Sequence, residues 1–456
     1  MSEYIALAIF LVGFAVLIKI DTVYLIPMIL LFFSNLNGLV GWESFALKGF
    51  VKFQDYGLLL VCCILAYSRL SSGKFMPSYG RQLSKEFLFN VNNIYWLFMI
   101  GLFIFSVFAM GSFVWAVKMG RTFFYGLVYY VICRQLGEDP LRKFEKVINL
   151  LAILTVGFGV IYIAYNKFGV KVYPGGEYES FDMGYLLGDV KRNFSGFPTF
   201  TYYFILLFTD RLIAARGRAI FNVIGLLVMI ACVFFMLTRG ALLLTIAMIP
   251  AMMLYRRQTP STMGRILFVS AIAVLGLLAL PYVAEAQYLA LAKRFEEFGT
   301  RGLAGSENAM VRSQEFFQIL KNVIDFDPLF GFGFMLPAAF GYVSQVYHGG
   351  SADNGVSNII GVTGFVGAAL FVVMILSWIF ANIKLQKLKV EPYSRVNFIF
   401  IFVMLASMLN GATMSYIWTF ALFMAYDLLA LASLVNKGPS PDVIDQPDVV
   451  LSPIRF

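Results

Sequence analysis

Charge is scarce in this chain. Only 13 % of its 456 residues are Asp, Glu, Lys or Arg, where a soluble domain carries about 25 %. There is one histidine, His348, which excludes a histidine-cluster metal site and a haem held by two histidines. Cysteine is nearly absent too. Cys62, Cys63, Cys133 and Cys232 all fall in apolar runs, with no CxxC and no second ligand type nearby. They read as buried small hydrophobes rather than disulfides or metal ligands. The stretch 4–18 is apolar, but no basic segment precedes it and no small-residue cleavage site follows it cleanly. A cleavable signal peptide is therefore not expected. The composition excludes an ordinary cytosolic enzyme, a disordered chain and a DNA-binding module.

What fills the chain is apolar sequence. Hydrophobic residues make up 60 % and aromatics 17 %. A membrane-spanning helix needs about 20 mostly apolar residues. Runs of that kind fall near 4–20, 22–41, 55–69, 94–117, 121–136, 146–166, 197–214, 219–237, 240–255, 266–284, 355–383, 396–412 and 415–436. The expectation is an all-α polytopic membrane protein with about 11–14 spanning helices. Its formal charge of +9 marks inside loops rather than nucleic-acid binding. With the 285–354 loop placed outside, most Lys and Arg fall on small inside loops, and the tail 437–456 lies in the cytoplasm.

The chain then divides as 1–166, N-terminal helices; 167–196, a shorter outer loop; 197–284, central helices; 285–354, a long outer loop; 355–436, C-terminal helices; and 437–456, the tail. Within the long loop, 286–298 and 308–324 have helical apolar spacing. A loop of this length is functional or disordered, and its helical pattern favours folded and functional. No internal repeat of the transporter kind is evident.

Arg239, in Thr238-Arg239-Gly240, is the only charge in the apolar stretch 219–255. Arginine at membrane depth costs several kcal/mol unless it faces protein, water or an anion. The plain reading is a helix-end arginine snorkelling to headgroups. The functional reading is an anion ligand, because the planar guanidinium binds phosphate bidentately and stays charged. Gly240 and the following helix start would add backbone N–H groups. Arg312 lies on the second helical stretch of the loop, and Arg192 closes the shorter loop. Lys293, Arg294 and Arg301 add outside basic charge. Asp353-Asn354 stands where the long loop meets the next helix. The pair is either a helix N-cap or a carboxylate able to take a hydroxyl proton, with His348 a rival base. Asp325-Phe326-Asp327 matches a DxD pattern, but three residues specify little, and nucleotide sugars are scarce outside. No metal and no cofactor are expected.

These fragments occur in an order that resembles the O-antigen polymerase and ligase superfamily. Thr238-Arg239-Gly240-Ala241-Leu242-Leu243 resembles its "SRGALL" element. Arg312 followed by Asp327-Pro328-Leu329-Phe330-Gly331-Phe332-Gly333 is similar to its "R…PLxGxG". Asp353-Asn354-Gly355-Val356-Ser357, ending in Gly364-Phe365-Val366-Gly367, is similar to its "HNxxL…GxxG", and Arg192 to Pro198 to its "R…G…P". The resemblance covers roughly residues 190–370.

It implies a GT-C-like, metal-independent, inverting glycosyltransferase of the bacterial inner membrane. Its site would be periplasmic, and donor and acceptor glycans would be carried on undecaprenyl diphosphate. By resemblance, Arg239 and Arg312 bind the diphosphate and Arg192 assists on the donor side; Asn354 and Arg301 are taken with them as substrate-binding, and Asp353 or His348 as the base. Asp353 stands where ligases usually keep histidine, which favours a polymerase of glycan repeats over a ligase to lipid A core. A transporter of lipid-linked sugars is the third reading. The resemblance leaves room for a chain-length regulator as partner.

Overall fold

The computed structural model describes residues 21–33, 53–72, 86–137, 139–170, 186–187, 190–191, 198–255, 260–305, 307–335, 355–388, 393–409 and 417–437. Helices dominate. In chain order they are α1 (Leu25–Phe33, after a 3-10 turn at Thr22–Tyr24), α2 (Phe53–Ser72), α3 (Phe87–Met110), α4 (Phe113–Phe124), α5 (Val128–Leu136) and α6 (Pro140–Phe168). Then come α7 (Pro198–Ala214), α8 (Ala219–Phe235), α9 (Arg239–Leu254), α10 (Pro260–Val283), α11 (Glu285–Gly305) and α12 (Glu307–Phe326). The C-terminal part holds α13 (Gly355–Lys387), α14 (Ser394–Leu409) and α15 (Ile417–Lys437). The described strands are two residues long each, β1 (Leu186–Leu187) against β2 (Val190–Lys191), within the shorter loop.

Among the described residues, five helices are long and apolar enough to cross a membrane: Phe87–Ala109, Pro140–Phe168, Thr262–Val283, Gly355–Lys387 and Ile417–Leu434. Shorter apolar helices accompany them, among them Ala219–Phe235 and Arg239–Leu254. The protein is a multi-pass membrane protein of the all-α class. The run 4–20 lies outside the described residues.

Two expected spans in the N-terminal part are interrupted. The run 94–117 breaks because Gly111 takes the left-handed conformation at φ 60° and stops α3. The Ser112 hydroxyl then accepts from the Trp115 N–H at 3.4 Å and starts α4. The run 121–136 breaks at a 3-10 turn, Tyr125–Leu127. There Gly126 lets the Trp96 ring approach so closely that a Cβ would lie 2.3 Å from it.

The core surrounds α15, which packs against α5, α6, α13 and α14 and meets Tyr203 of α7 through Phe423, and its largest buried side chains include Trp378, Trp418, Tyr203 and Phe144. Phe144 stacks on Tyr426 at 3.7 Å and Tyr203 on Phe423 at 4.0 Å. Cys133 and Cys232 are buried, as expected, but Cys62 and Cys63 are exposed. The reason is one-sided packing of α2, whose Leu59, Tyr67 and Leu70 face outward with them.

The start of α1 is tied to α6 by Asp21. Its carboxylate accepts from the Val23 N–H at 3.1 Å and from Lys146 Nζ at 3.0 Å. Burial pulls the Asp21 carboxyl up, but the Val23 N–H and then Lys146 outweigh it and hold the group below its ordinary value. The carboxylate form is thus favoured by folding. Its contribution is present above the unfolded value and is lost as pH falls from about 4 through the lowered one. Both groups are partly exposed, so the effect is roughly half a kcal/mol. In detergent melts Asp21→Asn is expected to lower the midpoint slightly at pH 7, and the difference from wild type to close as pH falls through the lowered Asp21 value.

Candidate functional site

Arg239 is placed by a tight reversal. Helix α8 ends at Phe235 and α9 begins at Arg239. Between them Leu237 adopts the left-handed conformation at φ 50°, which costs an L-residue roughly 1–2 kcal/mol. Its side chain is fully buried, and burying a leucine contributes about 1.5–3 kcal/mol, which holds the turn. The Thr238 hydroxyl donates to the Met236 carbonyl at 3.1 Å instead of capping α9. Arg239 is therefore the first residue of α9 and half-buried. The N–H groups of Arg239, Gly240 and Ala241 open the helix ahead of its first backbone bond, from Leu242 N–H to the Thr238 carbonyl at 3.1 Å. Guanidinium and helix-dipole charge thus coincide at one corner, an arrangement suited to an anion.

The other arginine-bearing elements meet at α11. This helix packs against α9, α10, β2 and α12. So the helix of Arg239, the helix of Arg312 and the strand that runs into Arg192 converge on the helix that carries Arg301. Arg301 and Arg312 are placed by their helices. Arg192, His348, Asp353 and Asn354 lie outside the described residues. No protein-family model and no curated protein matches this chain.

The segment after α12 forms a docked strap. The Asp327 carboxylate accepts from the Leu329 N–H at 2.9 Å and the Phe330 N–H at 3.1 Å, so it caps a turn. The second acid of the DxD pattern is thereby spent on the backbone, while Asp325 is exposed. Among the described residues no group of three His, Cys, Asp or Glu side chains is arranged to hold a metal.

Beyond Asp327, three phenylalanines alternate with two left-handed glycines, Gly331 at φ 65° and Gly333 at φ 61°. Each phenylalanine finds an aromatic partner: Phe330 on Phe98 at 6.2 Å, Phe332 on Phe326 at 4.8 Å, Phe334 on Phe123 at 5.3 Å. Ser106 Oγ accepts from the Phe334 N–H at 2.9 Å and donates to the Leu102 carbonyl at 2.7 Å. The strap thereby bridges α3 and α4 to α13.

Helix α13 is not continuous. Gly364 sits at φ 60°, ψ −165°, outside helical geometry. A continuous helix would bond Phe365 N–H to the Gly361 carbonyl and Val366 N–H to the Val362 carbonyl. The strap pairs the same four groups. Phe332 N–H donates to the Gly361 carbonyl at 2.8 Å and Gly333 N–H to the Val362 carbonyl at 2.9 Å. Phe365 N–H donates to the Pro328 carbonyl at 2.9 Å and Val366 N–H to the Leu329 carbonyl at 3.1 Å. Non-helical backbone is tolerated in such a span when protein satisfies it. The sequence reading took 355–383 as an unbroken span. The signal it passed over was glycine at 361 and 364 facing a Gly-Phe-Gly loop.

A second polar cluster was also passed over. Asp427 is fully buried on α15. Its Oδ2 accepts from Trp378 Nε1 at 2.6 Å and Asn382 Nδ2 at 2.8 Å, both on α13. Its Oδ1 accepts from Asn397 Nδ2 on α14 at 2.7 Å, and the Tyr203 hydroxyl on α7 donates to Asn397 Oδ1 at 3.1 Å. One carboxylate thus joins four helices. Its signal was a lone acid in the apolar run 415–436.

Proposed function

We propose that this protein is a membrane glycosyltransferase that joins oligosaccharide repeats carried on undecaprenyl diphosphate into a longer polysaccharide. The observation that carries this reading is the convergence on α11 of the elements bearing Arg239, Arg301 and Arg312 and leading to Arg192. Several arginines held by one scaffold suit a diphosphate, whose charge grows as it departs. The motif order of the sequence supports the same chemistry. Site and substrates would lie at the periplasmic face of the bacterial inner membrane.

In this scheme the acceptor hydroxyl oxygen attacks the donor's anomeric carbon. The bond from that carbon to the diphosphate breaks, and its electron pair leaves on a phosphate oxygen held by Arg239 and Arg312. The hydroxyl proton passes to Asp353 or His348, and the anomeric configuration inverts. No metal is assigned a role, and the base and Asn354 come from sequence alone.

Deletion of the gene in the host is expected to collapse the surface-polysaccharide ladder to a single repeat attached to lipid A core. Loss of all attached glycan, with long polymer accumulating on the lipid carrier, would make the protein a ligase instead. Unchanged polysaccharides of every kind would overturn both. In the same strain, Arg312→Ala is expected to lower polymer formation about 100-fold, and wild-type ladder length from that variant would remove Arg312 from the site. The transporter reading has less behind it: in the described residues one helix, α13, is broken at a glycine, and protein backbone fills the break.

A further inference from the structure

We infer that Gly364, Gly331 and Ser106 are positioning residues that lock the Arg312-bearing helix to α13, on both sides of its break, through the docked strap. The inference rests on the polymerase reading for its functional half.

The physical argument is steric and hydrogen-bonded. The strap and the helix break fit only because neither side has a Cβ. A Cβ on Gly364 would lie 2.4 Å from the Leu329 carbonyl oxygen, and one on Gly331 would lie 2.6 Å from Gly364 N and 2.7 Å from the Gly361 carbonyl oxygen. These neighbours are backbone atoms and cannot swing aside. Both glycines also have positive φ, so a side chain is disfavoured there twice over. Once the strap is docked, α12 cannot slide along α13 without exposing the four backbone groups of the break, each costing several kcal/mol away from water. Ile319 and Val323 of α12 and Phe332 of the strap form one small apolar cluster, with Ile360 of α13 packed against it. Ser106 anchors the strap's far end to α3. Helix α12 is thus fixed in register against the part of α13 that begins at Gly355, directly after Asp353-Asn354. The strap is the device that would set Arg312 against that segment.

The test uses the full chain in lipid nanodiscs, with Cys62 and Cys63 replaced by Ala because both are exposed. Nitroxides are placed at Gln318, exposed on α12, and Leu376, exposed on α13. Pulsed electron spin resonance is expected to give one narrow distance in the otherwise wild-type protein and a broadened one in Gly364→Ala. An unchanged narrow distance would overturn the lock. Should Gly364→Ala fail to fold, Ser106→Ala serves: it removes one anchor, leaves the glycines alone, and is expected to broaden the distribution partially.

Polysaccharide formed per unit protein then tests positioning against mere stability. Ser106→Ala is expected to cost several-fold and Arg312→Lys about 10-fold, and the double variant no more than Arg312→Lys alone. Losses that simply multiply would mean the strap does not act through Arg312. If Arg312→Lys alone has no effect, the assignment of Arg312 fails, while the spin-label distances still decide the lock.

Discussion

Arg239→Ala is expected to abolish the proposed chain growth, by at least about 100-fold, while the protein still inserts and melts close to wild type. The expectation follows from where the residue sits. Arg239 opens α9 beside Gly240 at the end of a three-residue reversal held by buried Leu237. The guanidinium supplies charge and the helix start supplies dipole and N–H groups to the same corner. Removing the arginine leaves the buried Leu237 and the Thr238 hydrogen bond to Met236 to hold the turn. Arg239→Lys keeps the charge but loses the bidentate fork, so it should retain partial activity, reduced about 10-fold. The measurement is polymer length and yield in a strain expressing only the variant, alongside its melting midpoint in detergent. Normal chain length in Arg239→Ala would leave the residue as a snorkelling helix-end cation and remove the main support for diphosphate binding.

Asp427→Ala is expected to be the most destabilising single change away from that site. The substitution strands the donors of Trp378, Asn382 and Asn397, which the Asp427 carboxylate takes at 2.6, 2.8 and 2.7 Å. Hydrogen bonds inside membrane proteins average about 0.6 kcal/mol in double-mutant cycles, which sets a lower bound near 2 kcal/mol for the three. Donors left buried without partners cost about 1–3 kcal/mol each, so the loss is expected to lie between about 2 kcal/mol and about 9 kcal/mol. Asp427→Asn should cost less, about 1 kcal/mol. Its amide oxygen can serve Trp378 and Asn382. The Asn397 amide can then turn to present its oxygen, with the Tyr203 hydroxyl accepting in place of donating. Unfolding in mixed SDS micelles measures both, and equal losses for the two variants would show that the carboxylate charge, not the acceptor count, holds the cluster.

Helix positions were legible from hydropathy alone, because a span must hide its backbone and be apolar over a set length. The runs 197–214, 219–237 and 240–255 correspond closely to α7, α8 and α9, and the two helical stretches of the long loop correspond to α11 and α12. What hydropathy could not convey was interruption. Gly111, Gly126 and Gly364 barely change a window average, yet each sits where the helix stops or another group presses in. For the same reason Asp427 passed as one polar residue in an apolar run, since its partners lie 30 to 49 residues away in sequence.

The sequence by itself determined that the protein is helical and membrane-embedded, and that Arg239 is a charge needing an explanation. Those properties are local sums of transfer energy and do not depend on what packs where. Only the tertiary structure decided that the Gly-Phe-Gly loop fills the break in α13 and that the arginine-bearing elements meet on α11. The same holds for the carboxylate that joins four helices. These are pairings between distant segments, fixed by the requirement that every buried backbone and carboxylate group find a partner.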